Sequence, residues 1–220
     1  MSLRPHHLPL VLLLAAGGAL TGCAKSGEIE VSGGAAGITS VRSACPIVGV
    51  PAGTGDVTMF SPANSTDASA IDVTAAISNV RSTCNDAGDD IQTTVTFDVR
   101  ARRTQTAGPR DATLPYFIAI TRGGSSVVSK RIGAVALHWD AGQGVATASE
   151  QATTVVSRAL ATVPQEIRDK LTRKRKAGDE DAALDPLAQP EVRSAVLSAT
   201  FEALAGFQLT PDQLRYNATR

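Results

Sequence analysis

The stretch IQTTVTFDVRARR at 91–103 sets Ile91, Thr93, Val95, Phe97 and Val99 on one side and Gln92, Thr94, Thr96, Asp98 and Arg100 on the other. A period of two belongs to a strand with one buried face; helical neighbours recur at three and four residues instead. The same period returns in DVTMF at 56–60, where Val57 and Met59 share a face. It returns again at 70–80, which aligns Ile71, Val73, Ala75 and Ile77. LPYFIAITR at 114–122, SVVSKRIGAVAL at 126–137 and GVATASEQATTVV at 144–156 continue it. CNDAGDD, RGGSS and WDAGQG punctuate the segments as turns. Short β segments at close spacing, with almost no helical period between them, predict a mainly β chain folded as an antiparallel Ig-like β-sandwich.

Residues 157–198 break the pattern. Ile167 and Leu171 stand at i, i+4, with Pro164 before them and Gly178 after, the punctuation of a helix. The acidic, proline-bounded GDEDAALDPLAQP reads as a loop. PEVRSAVLSATFEAL then places Val192, Ala195, Val196 and Ala199 on a helical face. TFEALAGFQL also alternates as a strand, so two readings stand: a short helix near 190–198 with a final strand at 200–209, or one helix to Leu204. The first makes 160–198 a short helical insertion before the last strand. TPDQLRYN at 210–217 offers Thr210 as an N-cap and Pro211 at the first helical position, for one closing helical turn.

At the other terminus, Arg4, His6 and His7 precede the apolar run LPLVLLLAAGGAL at 8–20. Thirteen apolar residues fall short of the roughly 20 a membrane-spanning helix needs, and the basic opening fits a secretory leader. The run ends in Leu20-Thr21-Gly22-Cys23, which resembles the lipobox of bacterial lipoproteins. The resemblance implies cleavage before Cys23, diacylglycerol on its sulfur and acylation of the new N-terminus. Several chains are needed for lasting anchorage, because a single acyl chain binds a membrane only marginally. Ala24, where inner-membrane lipoproteins often carry aspartate, implies the periplasmic face of the outer membrane; display on the cell surface is the other orientation. Residues 1–22 are then the leader, 23–44 a lipidated, glycine-rich tether, and 45–220 the sandwich domain. A second resemblance rests on CP at 45–46, LPYFIAI at 114–120, SKRIG at 129–133 and GFQLTPDQLRYN at 206–217. Together these are similar to a family of proteobacterial envelope lipoproteins with no assigned activity, so they imply architecture and address only.

Loss of the leader removes one basic residue and leaves a net charge near −1, which provides no general attraction to nucleic acid. Cys45 and Cys84 remain, and an oxidising compartment makes a disulfide the expected state of both. One histidine remains, His138, in LHWD; with Asp140 two residues on, it would form an orienting pair on one strand face. A triad would also need a nucleophile, and no G-x-S-x-G stretch is present, so the reading is a structural histidine at a strand end. One histidine and two bridged cysteines are too few for a zinc site, and no cofactor is implied. NDAGDD at 85–90 lacks the ligand order of an EF-hand loop and reads as a solvated turn.

RDKLTRKRK at 168–176 gathers Arg168, Lys170, Arg173, Lys174, Arg175 and Lys176, with Asp179, Glu180, Asp181 and Asp185 close behind. It reads either as a solvated helix face or as a surface for lipid phosphates or an acidic partner. The sequence as a whole predicts a non-catalytic binding or assembly module of the envelope, whose partner is a protein, peptidoglycan or lipid. An envelope hydrolase using His138 and Asp140, or a surface-displayed adhesin, are the alternatives.

Overall fold

A computed structural model describes residues 43–173, 178 and 184–220. The leader, Cys23 and nearly all of the tether lie outside the described residues. Strands β1 (Ile47–Gly49), β2 (Asp56–Phe60), β3 (Ile71–Asn85), β4 (Asp90–Arg103), β5 (Arg110–Arg122), β6 (Ser126–Trp139), β7 (Val145–Ser157) and β8 (Phe201–Phe207) form two four-stranded sheets. One sheet runs β1-β8-β5-β6 and the other β2-β3-β4-β7. All neighbours are antiparallel except β1 and β8, a three-residue parallel pairing that the sequence did not suggest. The chain is mainly β, a sandwich with a helical insertion before its last strand, as the alternation predicts.

The buried face of β4 supplies one wall of the core with Ile91, Val95, Phe97 and Val99, each no more than 1% exposed. Leu114, Tyr116, Ile118 and Ile120 of β5 and Phe201, Ala203, Ala205 and Phe207 of β8 face it from the other sheet. The walls meet in an edge-to-face contact of Phe97 and Tyr116, ring centroids 5.1 Å apart. The even-numbered residues of β4, from Gln92 to Arg102, lie on the opposite, solvent face.

Between β7 and β8 the chain forms α1 (Arg158–Ala161), α2 (Gln165–Thr172), a 3-10 turn at Pro186–Ala188 and α3 (Pro190–Ser198). Val192 and Val196 of α3 are buried, as is Ile167 of α2. Of the two readings of 190–209, helix then strand is the one realised. Glycine or proline does not separate them; Thr200 Oγ1 donates to the carbonyl of Val196, and the strand pattern resumes at Phe201. The terminal helix α4 (Pro211–Thr219) runs for nine residues rather than the single turn expected. Thr210 and Gln213 form a full capping box at its start. Its far end is docked on β2, where Tyr216 meets Phe60 edge to face and Asn217 Nδ2 donates to the carbonyls of Gly53 and Asp56. Those docking contacts extend the helix beyond the turn its cap alone would support.

The disulfide Cys45–Cys84 is formed, joining the segment before β1 to β3. Its geometry depends on a bulge. Ser78 pairs with Asp98, but Arg81 pairs with Thr96, so Asn79 and Val80 together oppose Phe97. Asn79 takes a left-handed φ of 52°, donates from Nδ2 to Asp98 and accepts from Arg81 Nε. A one-residue slip exchanges the two faces of a strand. Cys84 is thereby aligned with buried Thr93 and turned towards the other sheet, where Cys45 stands.

Candidate functional site

The insertion covers one end of the sandwich. There β7 gives way to α1, β8 begins, and the β3–β4 and β5–β6 turns lie. Its segments hold each other: Lys170 Nζ donates to Glu191 Oε1 at 2.5 Å, tying α2 to α3. Arg158 Nε donates to the carbonyl of Gly88 in the β3–β4 turn, and Arg122 Nε to the carbonyl of Ser198 at the end of α3, each at 2.5 Å. The last contact caps the C-terminal, electronegative end of α3 with a cation. The Arg122 guanidinium also lies over the Phe201 ring, 5.7 Å from its centroid.

Of the six basic residues singled out in the sequence, three are described. Arg168 donates to Gln165, Lys170 is paired with Glu191, and Arg173 closes α2 as its C-cap residue. Lys174, Arg175 and Lys176 lie outside the described residues. Within α2, Lys170 thus ties the helix to α3, while Arg168 bonds within the helix itself. Open clefts lie beside α3 and beside α2. One of about 520 Å3 lies between the β5–β6 turn and α3, lined by Arg122, Ser126, Arg193, Ser194 and Leu197 among others. Another of about 560 Å3 lies beside α1 and α2, with Asp89, Arg158, Thr162 and Arg168 in its wall. The first has no carboxylate among its lining residues; the second has one.

The opposite end carries His138. Its Nδ1 lies 2.6 Å from Asp111 Oδ1 and its Nε2 3.4 Å from Asp140 Oδ1. The pairing with Asp140 is as the sequence suggests, but the closer partner is Asp111, cross-strand on β5. Hydrogen bonding to Asp111 first, then to Asp140, raises the imidazole pKa above its ordinary value. Both nitrogens of this exposed imidazole therefore face a carboxylate. Among the described residues no group of three His, Cys, Asp or Glu side chains is arranged to hold a metal ion.

Two features of this end were missed in the sequence. Arg103 is buried, and its guanidinium donates to the carbonyls of Gln143 and Asp140 at 2.8 Å while lying 5.9 Å from the Trp139 ring centroid. It stands in phase with Ile91, Thr93 and Val95, and that phase is the signal of its burial. Asp72 and Arg110 form a two-point ion pair at 2.6 Å for each bond, clasping β3 to β5 across the sandwich. The Arg110 hydrogen bonds hold the Asp72 carboxyl below its ordinary pKa. Neither pair has a local sequence signal, because their partners are 37–40 residues apart.

No family model matches the chain, and no curated protein or solved structure matches it at a significant level.

Proposed function

We propose that this chain is a lipoprotein anchored by acylated Cys23 to the periplasmic face of the outer membrane, where its sandwich serves as a non-catalytic binding or assembly module of the envelope. The observation that carries this reading is the L-T-G-C sequence that starts at the last residue of a 13-residue apolar run. The Cys45–Cys84 disulfide supports it, since such bridges persist in exported proteins and are rare in the cytosol. Mass spectrometry of the processed protein tests the anchor: the N-terminal peptide begins at Cys23 and carries diacylglycerol plus an amide-linked acyl chain. An unmodified Cys23, or its loss with the leader, refutes the address. The helical insertion is the contact surface in this reading. It contributes no strand to either sheet. Crosslinking in cells, with and without residues 160–198, identifies the partner. A partner set unchanged by the deletion rules the insertion out as that surface.

A further inference from the structure

We propose that the tip of the β5–β6 hairpin and α3 together form a face that rests on anionic phospholipid headgroups. The orientation rests on the reading of Cys23 as acylated; the lipid affinity does not. Three observations meet at this face. Residues 126–132 of β6 are all exposed, although the strand pairs with β5 on either side of a bulge at Val128. Within them Val127 and Val128 are 63% and 56% exposed side by side, and Leu197 of α3 is 47% exposed nearby. Two successive glycines of positive φ, Gly123 and Gly124, bring the turn against α3, where Gly123 N donates to the carbonyl of Thr200.

Charge is the second observation. Arg122 and Arg193 line the cleft between turn and helix, and Lys130 and Arg131 follow a few residues along β6. Glu191 is paired with Lys170, while Glu202 accepts from Thr121 and keeps its charge, so the cations of this face outnumber its unpaired acid. Cations beside exposed aliphatic side chains suit the headgroup boundary, which pairs with the first and admits the second.

The third observation is where the chain enters. β1 runs parallel to β8, and both begin at the helical end; Cys45, just before β1, is bonded there to Cys84. In sequence Cys23 precedes Cys45 by 22 residues, so the chain reaches the sandwich at this end.

The test uses residues 24–220, which retain every described element and carry no acyl chain. Flotation with phosphatidylcholine vesicles containing about one-third phosphatidylglycerol should show binding that weakens as salt rises, with little binding to pure phosphatidylcholine. Arg193→Gln and Lys130→Gln should each weaken it by roughly fivefold. Val127→Ser with Val128→Ser should abolish what survives at high salt. Arg100→Gln with Arg102→Gln, on the solvent face of β4, serve as the control and should leave binding unchanged; identical melting curves show that all variants are folded. Absence of binding, equal binding to neutral vesicles, or equal loss in the β4 control overturns the proposal. Acylation is read separately from the mass of the N-terminal peptide, so failure of the anchor and failure of the face are distinguishable.

Discussion

Gly133 lies on β6 directly opposite Tyr116 of β5, within a strand where glycine is costly. A glycine-to-alanine exchange in a strand ordinarily stabilises by about 0.4–1 kcal/mol, because the unfolded chain loses freedom. Here the sign inverts. A Cβ at position 133 would meet Tyr116 Cζ at 2.5 Å and Oη at 2.6 Å, inside any tolerable contact. Tyr116 cannot simply retreat: it is 7% exposed and its ring is edge-on to fully buried Phe97. Overpacking of such a site costs about 1–3 kcal/mol. Subtracting the entropic gain leaves Gly133→Ala destabilised by about 1–2 kcal/mol, a drop in melting temperature of roughly 3–6 °C for a domain of this size. Urea and thermal unfolding of residues 24–220, with the disulfide intact, measure it. Tyr116→Leu removes the ring and carries its own cost; in that background Gly133→Ala should be neutral or stabilising. The resulting coupling of about 1 kcal/mol or more isolates the clash from any general effect on the strand. A single variant as stable as the parent, or a cycle with no coupling, would refute the packing argument.

Replacing Cys45 and Cys84 together by alanine opens a loop with a sequence separation of 39. The chain-entropy model puts the loss at about 4 kcal/mol, readable as a lowered urea midpoint that reductant reproduces in the parent protein. Asp72→Asn breaks a two-point, charge-assisted pair and should cost about 2 kcal/mol at neutral pH. Because the folded pKa of Asp72 is depressed, its contribution is complete above the ordinary carboxylate value of about 3.9 and disappears as pH falls through the folded one. Denaturation of parent and variant should therefore differ at pH 7 and converge below about pH 4; a constant difference into acid would show that the carboxylate charge is not the cause.

Where local pattern carried the information, it was legible. The buried positions of β4, the helix at 190–198 and the cap at Thr210 all follow from residues within a few positions of one another. What remained hidden was register. Counted back from the Gly123–Gly124 turn, His138 would stand opposite Arg110; a bulge between Ile120 and Thr121 moves it to Asp111. The candidate pair His138–Asp140 was thus read from its sequence spacing, while its closer partner was not.

Period two in 91–103 and the segments like it sufficed to specify a sandwich, the i, i+4 pair of Ile167 and Leu171 marked the helical interruption, and the sequence itself supplied the two cysteines available for a bridge. Only the tertiary structure decided that Asn79 bulges β3 so that Cys84 faces Cys45, that Arg103 is buried beneath the carbonyls of Asp140 and Gln143, and that the chain enters at the end covered by the helices. The physical reason is range. Alternation and capping are set by neighbours along the chain, whereas register, bulges and buried charges are set by partners brought together from tens of residues away, whose mutual fit exists only once both sheets have closed.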